Sequence, residues 1–125
     1  MDGWYDLEMN PDYHFKSWRW TSKQAKCIID NPHEDALLII KGEVNKNAVQ
    51  DQKVIFKIND TILDEFVPEH PIFEKTYNIS EGKLGEDDDF YLTIATDKTF
   101  VPEEILPEST DDRELGLKIS FIYFR

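Results

Sequence analysis

Two short segments carry the residue types from which a binding site could be built. The first is Trp18-Arg19-Trp20, where alternation along a strand places both indole rings on one face and Arg19 on the other. Indole faces stack on sugar rings because sugar C–H bonds meet the negative face of the π system, so Trp18 is a candidate ligand-binding residue. Arg19, on the other face of the strand, is a second candidate. Structurally, we expect at least Trp20 to lie in the core, which leaves Arg19 facing solvent or a carboxylate partner.

The second segment is Asp111-Asp112-Arg113-Glu114-Leu115-Gly116, whose arginine is flanked by acids. A planar guanidinium binds a carboxylate through two parallel hydrogen bonds, so Arg113 can act as a lock that closes this loop onto the end of the domain. As a ligand site, Arg113 and Asp112 could instead contact the hydroxyl groups of a sugar. Gly116 provides either a positive φ or space for a close approach where the last strand begins. Both interpretations of the segment stay open at this point.

Metal and catalytic chemistry find little support. Asp87, Asp88 and Asp89 form a dense acidic run, and calcium, which takes about six to eight oxygen ligands, is the one cofactor that this composition allows. The histidines are isolated, and Cys27 lies on the inward register of a strand, where we expect a small buried hydrophobe. There is no nucleophile-elbow, phosphate-binding or dinucleotide motif, so we expect no catalytic residues and no cofactor other than calcium.

The charge balance limits the class of partner. The 125 residues include 26 Asp and Glu against 14 Lys and Arg, a formal net charge of −12. Nucleic acids and anionic membranes attract clustered Lys and Arg, so neither is expected as a partner. The first residues lack the basic and apolar regions of a signal peptide, and the longest apolar run, Ala36–Ile40, is far shorter than the ~20 residues of a membrane helix. With a lone Cys27, which can form no internal disulfide, we expect a soluble, cytoplasmic protein.

Hydrophobic alternation predicts one strand after another, over residues 17–21, 24–30, 36–44, 54–58, 62–67, 73–79, 90–95 and 117–124. Only Val101–Ile105 is expected to form a helical turn. Seven or eight short strands separated by turn signals predict an all-β fold, a two-sheet antiparallel β-sandwich of jelly-roll-like form. We expect a single domain over residues 1–125, with residues 1–14 as an irregular N-terminal arm anchored by Trp4 and Tyr5.

Three details of this pattern bear on the sheets. Ser22-Lys23 separates the first two strands and is short enough for a tight hairpin or for a kink in one continuous strand. Asn59-Asp60 is a turn pair typical of a hairpin. In the last strand, alternation places the four odd-numbered residues from Leu117 to Tyr123 on one face.

Short motifs come in the same order over almost the whole chain: Gly3-Trp4 with Leu7-Glu8, Arg19-Trp20-Thr21, Phe100-Val101-Pro102 and Asp112-Arg113-Glu114-Leu115-Gly116-Leu117. In these motifs the chain resembles the small β-sandwich domains, similar to carbohydrate-binding modules, that are attached to bacterial glycosyltransferases and polysaccharide-biosynthesis proteins or occur alone. The resemblance implies a jelly-roll-like sandwich in a carbohydrate-related setting, with no established catalytic role. It marks as family-type residues Glu8, Arg19, Trp20, Pro102, Asp112, Arg113 and Gly116. Three of these, Trp20, Pro102 and Gly116, are expected to be structural.

Together these observations favour a non-catalytic, carbohydrate-associated binding or accessory module. A glycan, or a glycosyltransferase to which the domain docks, would meet the loops at one end of the sandwich, from Glu8 to His14 and from Pro102 to Arg113, together with the Arg19 face. The residues predicted to bind ligand are Glu8, Trp18, Arg19, Asp112 and Arg113. The alternative is a structural or homo-oligomerisation sandwich without a small-molecule ligand. A glycoside hydrolase built on a pair of carboxylates is the third candidate.

Overall fold

The computed structural model describes residues 2–10, 12 and 16–125. Within them the regular structure is mostly β, with two helices of four residues each. In chain order the elements are β1 (Glu8–Met9), β2 (Ser17–Trp20), β3 (Gln24–Asp30), β4 (Ala36–Glu43), β5 (Val54–Ile58), β6 (Thr61–Phe66), β7 (Ile72–Ile79), α1 (Glu81–Leu84), β8 (Asp89–Thr96), α2 (Pro102–Ile105) and β9 (Lys118–Phe124). The expected helical turn after Val101 is α2.

The strands form two antiparallel sheets with the core between them. One sheet has five strands in the order β1-β2-β9-β4-β7, and the other has four in the order β3-β8-β5-β6. The pairs are nested, because β5 pairs with β6, β4 with β7, β3 with β8 and β2 with β9. The predicted all-β, two-sheet antiparallel sandwich is confirmed, with nine strands in the described residues, one of them the unexpected short β1. Its jelly-roll form stays a prediction, which the nested pairing favours.

Two-residue alternation explains the core. In β4 the inward residues Leu38 and Ile40 are fully buried, and Phe56 and Leu92 are fully buried from the other sheet. Phe56 makes edge-to-face or tilted ring contacts with three aromatic neighbours, which are Phe66, Phe73 and Tyr77. These rings fill the space between the sheets and hold them at a fixed separation.

Polar and sulfur groups are accommodated at the margins of this core. Tyr77 Oη donates a 2.6 Å hydrogen bond to Asp64 Oδ2, which joins β7 of one sheet to β6 of the other. Cys27 is buried, as expected, and burial raises the pKa of its thiol. Cys27 is a free cysteine, and it belongs to no cluster of metal-ligating side chains among residues 2–10, 12 and 16–125.

Short connections carry the chain between the sheets. Because β2 and β3 belong to different sheets, Ser22-Lys23 is not a tight hairpin, and the chain changes sheet there. β5 and β6 form the expected hairpin around Asn59-Asp60, with Ile58 opposite Thr61. Asn59 has a φ of 52°, a conformation that asparagine adopts more readily than most residues.

The N-terminal segment is attached to both sheets, to β2 of the five-stranded sheet and to the edge strand β3 of the four-stranded sheet. β1 pairs with β2, so two residues of the predicted arm join the sheet. Trp4 Nε1 donates a 3.1 Å hydrogen bond to the backbone oxygen of Lys26, and Tyr5 Oη donates a 2.8 Å hydrogen bond to the backbone oxygen of Glu114. Both aromatic residues therefore anchor this segment, as the sequence predicts.

A bulge in β9 changes which side chains of the last strand face the core. Lys41 of β4 pairs with Phe121, but the next residue, Gly42, pairs with Ile119, so Ser120 is an extra residue in the ladder. An extra residue shifts the alternation by one position. Ile119 is accordingly buried at 4% exposure, whereas Phe121 is 46% exposed.

The bulge corrects one expectation about β9. The odd-numbered residues from Leu117 to Tyr123 do not share a face, because the two-residue period breaks at Ser120. Leu117 is buried in the core, whereas Tyr123 is 38% exposed. Beyond the bulge the partly buried residues that pack against the core are Ile122 and Phe124.

Gly42, opposite the bulge, has no room for a side chain. A Cβ atom there would lie 2.8 Å from Phe73 Cζ, 2.9 Å from Ile119 Cδ1 and 2.9 Å from the backbone oxygen of Lys118. The ring and the methyl group could move aside, but the carbonyl belongs to the neighbouring strand. Glycine is thus required here by close approach.

Replacing Gly42 with alanine is expected to lower the free energy of unfolding by about 1–3 kcal/mol, because the added methyl group overpacks the bulge. The matched control is Gly82→Ala, since a Cβ at Gly82 meets nothing within 4 Å and the residue lies in α1, where alanine is favoured. Urea unfolding of both variants measures the difference. Equal stability of the two variants would contradict the close approach.

Candidate functional site

The β9 bulge exposes two aromatic rings on the outer face of the five-stranded sheet. The ring planes of Phe121 and Tyr123 are within 6° of parallel, and their centroids are 6.2 Å apart. Both side chains stand on a central strand that pairs with β4 along this segment. This aromatic pair, Phe121 and Tyr123, is thus an exposed apolar patch on a rigid support.

A groove of about 580 Å³ lies on the same face and includes Phe121 in its wall. This volume is within the range of about 300–1,000 Å³ found for small-molecule sites. The groove combines aromatic, aliphatic, hydroxyl, ammonium and carboxylate groups, which come from Trp18, Lys41, Glu43, Ile72, Lys118, Ser120 and Phe121. We call it the sheet-face groove. It can offer both stacking surfaces and hydrogen-bonding groups to one ligand.

Trp18 borders the sheet-face groove with one side of its ring covered by a cation. Lys118 Nζ lies 4.1 Å from the centroid of a Trp18 ring and 3.7 Å from Glu43 Oε2. The ammonium is attracted to the negative face of the indole, which holds both side chains in place. Among the described residues, the indole Nε1 has no hydrogen-bond partner and is shielded from solvent. The exposed rings of the aromatic pair are therefore the more accessible stacking surface.

Arg19 lies on the opposite side of the sheet from the one predicted. It pairs with Ile119 in the β2–β9 ladder, and residues directly opposite each other point to the same face. Ile119 belongs to the core, so Arg19 faces inward, whereas Trp18 and Trp20 face outward. The expectation of inward tryptophans and an outward arginine is wrong, because the register with β9, rather than hydrophobicity, determines the facing of this short strand.

Trp20 and Pro102 are structural, but Trp20 is not a core residue. The ring of Trp20 is half-buried and packs edge-to-face on Phe100, with ring centroids 5.8 Å apart and planes at 80°. Phe100 is itself buried and forms a β-bridge with Leu115. Pro102 is buried at the start of α2. Trp20 therefore covers the loop that leads into α2 instead of filling the space between the sheets.

Gly116 is required by close packing rather than by its dihedral angles. A Cβ there would collide with the backbone oxygen of Ser22 and lie 2.7 Å from Thr21 Oγ1, and Gly116 is not among the glycines with positive φ. Its N–H donates to the backbone oxygen of Thr21 at 2.7 Å, and its own carbonyl accepts a 2.9 Å hydrogen bond from Gln52 Nε2. Of the two roles proposed for Gly116, the close approach is the one observed.

Arg113 forms the lock that was one of its two predicted roles. Its Nε and Nη2 donate to the two carboxylate oxygens of Asp111 at 2.9 and 2.7 Å, and Nη1 lies 3.4 Å from Glu8 Oε2. The guanidinium also lies over the ring of Tyr5, 5.3 Å from its centroid. It lowers the pKa of Asp111 from its ordinary value of 3.8, and Asp111 raises the pKa of Arg113. The carboxylate partner within the loop is Asp111, whereas Asp112, the predicted ligand residue beside it, is exposed.

The acidic run Asp87, Asp88 and Asp89 is exposed and assembles no metal site. No group of three or more His, Cys, Asp or Glu side chains in residues 2–10, 12 and 16–125 is arranged to hold a metal ion. The loop is instead held through its backbone, because Asn31 Nδ2 donates to the carbonyl oxygens of Leu84, Gly85 and Asp87. Solvated carboxylates on a braced loop account for this part of the charge.

The predicted ligand residues are only partly brought together. Glu8 and Arg113 are in contact, and Trp18 lies opposite Glu8 in the β1–β2 pair. Arg19 is turned to the other side of the sheet, and the end of the predicted Glu8–His14 loop lies outside the described residues. The two predicted loops thus meet in a brace, not in an open site.

Sequence reasoning missed the residues that define the exposed surface. Alternation along β9 predicts that Phe121 and Tyr123 share a face with Leu117 and Ile119, so it does not single them out as an exposed pair. The signal in the sequence is that β9 is apolar at every position from Phe121 to Phe124. A strand with one solvent-facing side would alternate apolar and polar residues instead. Their cross-strand neighbours became evident only from the β4–β9 register.

Neither α1 nor α2, the helices of the described chain, has the length or apolar character needed to cross a membrane. No protein-family model matches the chain. A search of curated proteins finds no match either. The resemblance carried by the sequence motifs therefore stays a prediction, and function has to be inferred from the geometry of the sheet face and its margins.

Replacing Arg113 with alanine is expected to lower the free energy of unfolding by about 1–2 kcal/mol near neutral pH, because charge-assisted hydrogen bonds are lost from a partly exposed site. The stability linked to the lowered pKa of Asp111 is present above its ordinary value of 3.8 and is lost as the pH falls through the lower folded value. The difference between wild type and Arg113→Ala should therefore shrink in acid. Urea unfolding at about pH 7 and about pH 2.5 measures it.

The matched control is Asp112→Asn, an exposed carboxylate beside Arg113 in the same loop, for which we expect a change within about 0.5 kcal/mol. A larger loss for Asp112→Asn than for Arg113→Ala would show that the wrong acid has been assigned to the brace. A difference between wild type and Arg113→Ala that does not change with pH would contradict the role of Asp111.

Proposed function

We propose that this domain is a non-catalytic carbohydrate-binding module whose glycan site is the sheet-face groove. The observation that carries the proposal is the pair of exposed, parallel rings of Phe121 and Tyr123 beside a groove lined by polar side chains. The resemblance to domains of glycosyltransferases and polysaccharide-biosynthesis proteins points to the same class of ligand, although it was drawn from different residues.

The chemistry of the groove suits a sugar. The axial C–H bonds of a pyranose carry partial positive charge and are attracted to the negative face of an aromatic ring. Two parallel rings along one strand can support neighbouring units of an oligosaccharide. The hydroxyl groups of the sugar would find an ammonium donor at Lys41, a carboxylate acceptor at Glu43 and a hydroxyl at Ser120.

The proposed location differs from the loops expected from the sequence. Arg113 donates hydrogen bonds to Asp111 and to Glu8. A ligand that used Glu8 or Arg113 would therefore have to break existing hydrogen bonds. The rings of Phe121 and Tyr123 have no such competing partner on their exposed sides. Stacking on these rings therefore breaks no ion pair, and the ion pair within the groove is the one between Lys118 and Glu43.

In this proposal the module acts in the cytoplasm as an accessory to a glycosyltransferase, holding the growing or accepting glycan close to the enzyme. The domain would dock to the enzyme without taking part in bond formation. The unpaired, buried Cys27 is compatible with a reducing compartment.

The second candidate is a structural or oligomerisation domain that uses the same face. The exposed apolar side chains on it include Ile72 at 58%, Phe121 and Tyr123, and clusters of this kind also occur at contacts between proteins. A copy of the chain or a partner enzyme would then cover the aromatic pair. The two candidates predict different states in solution, since only the second requires a stable complex in the absence of glycan.

Replacing Phe121 with alanine is expected to weaken glycan binding at least tenfold, because a stacking surface is removed, while the stability changes by only about 0.5 kcal/mol. The matched control is Tyr91→Ala, which removes a 47% exposed aromatic ring from the outer face of the other sheet. A glycan array identifies ligands of the wild type, and titration calorimetry compares the three proteins.

The outcomes separate the candidates. Loss of binding in Phe121→Ala and retention in Tyr91→Ala supports the sheet-face groove. Equal weakening by both substitutions contradicts the location. A silent array together with a dimer in sedimentation, dissociated by Phe121→Ala, would replace the glycan-binding function with the oligomerisation function.

A further inference from the structure

Arg19 lacks the acidic partner that this composition would readily supply. The sequence contains 26 Asp and Glu, and Arg113 engages two carboxylates, yet no described carboxylate lies within ion-pair distance of Arg19. The side chain is only partly exposed and faces the inner side of the sheet. A partly desolvated guanidinium without a counter-ion is costly to the fold, so a bound anion would stabilise it.

Arg19 also lines a pocket whose walls contain neither Arg113 nor the residues that Arg113 contacts. The pocket has a volume of about 220 Å³ and is formed with Trp4, Cys27, Ile119 and Phe121. At ~30 Å³ for each water molecule in the liquid, this is room for one sugar unit or a small acid. The largely apolar walls strengthen the attraction between a charge on Arg19 and a charge on the ligand.

The other titratable group that lines this pocket, Cys27, carries no charge that would repel a bound anion. Burial raises the pKa of the Cys27 thiol, so the sulfur stays protonated and neutral. Arg19 is therefore the source of charge among the residues that line the pocket, and that charge is positive.

The Arg19 pocket adjoins the sheet-face groove at the bulge. Ser120 and Phe121 line both of them. The bulge leaves Ser120 without a partner in the ladder and turns the ring of Phe121 outward, so the two spaces meet along this stretch of β9. In the described residues β2 pairs with β9 at Lys118 and Ile119 and not beyond, so the side of β9 away from β4 has no paired strand from Ser120 onward. A ligand that stacks on Phe121 can extend a substituent past this side of β9 towards Arg19.

We propose that the Arg19 pocket is a subsite for the carboxylate of an acidic sugar, and that the glycan bound in the sheet-face groove contains such a unit. This inference rests on the proposed glycan-binding function and specifies its ligand class. The planar guanidinium would bind the carboxylate through two parallel hydrogen bonds, a geometry that a neutral sugar cannot match. Arg19 thus determines specificity, while the aromatic pair supplies stacking for acidic and neutral units alike.

The test compares oligosaccharides of galacturonate or glucuronate with the same oligosaccharides reduced at their carboxyl groups. Titration calorimetry of the wild type is expected to show about tenfold tighter binding of the acidic form, since a charge-assisted contact is added. In Arg19→Gln the affinity for the acidic form should fall to that for the reduced form, which itself should not change. Arg125→Gln, which removes the same charge from outside the pocket, is expected to keep the tenfold preference.

The outcomes distinguish this inference from the proposed function. Equal binding of acidic and reduced forms by the wild type overturns the Arg19 subsite and leaves the sheet-face groove intact. Binding of neither form by the wild type overturns both. If Arg19→Gln fails to fold by circular dichroism, Arg19→Lys keeps the charge but loses the planar fork, and an undiminished preference in that variant would contradict the two-point contact.

Discussion

The close approach of β4 and β9 at Gly42 determines both the packing and the exposed chemistry of this domain. Because no side chain projects from Gly42, the ends of Phe73 and Ile119 can fill that space from both sides. The adjacent bulge at Ser120 then divides β9 into a half that continues the core at Ile119 and a half that presents Phe121 to solvent. Residues of this one strand therefore lie both in the core and on the exposed surface. A single extra residue, Ser120, separates the two groups.

The fold could largely be predicted from the sequence because alternation is a local signal. The runs around Leu38, Phe56 and Leu92 gave strands whose inward residues are fully buried, and Asn59-Asp60 gave the β5–β6 hairpin. The facing of β2 and of the end of β9 could not be predicted, since it depends on which residue of a distant strand lies opposite. Register is a property of pairs, and the apolar run after Ser120 shows that β9 departs from simple alternation without showing where the bulge lies.

The arginines show the same limit at the level of the site. The flanking acids of Arg113 indicate that it is paired, and the structure pairs it with Asp111 and Glu8, whereas the neighbouring Asp112 is exposed. Nothing near Arg19 in the sequence indicated an inward-facing guanidinium without a partner, because its surroundings come from the N-terminal segment, β3 and β9. Charged residues close together in the sequence predict an ion-paired brace well. A pocket formed by several strands can be predicted only when the order of the strands is known.

The nested pairing of the strands has a consequence for how the chain reaches this structure. The innermost pair, Ile58 with Thr61, is separated by a turn, whereas Trp20 and Lys118 are brought together from nearly opposite ends of the chain. Loop-closure entropy therefore favours assembly from the central hairpin outward, with each completed pair shortening the loop that the next must close. On that route β2 and β9 associate last, and a ribosome-bound chain lacking its final residues would expose the seam along which the sandwich closes.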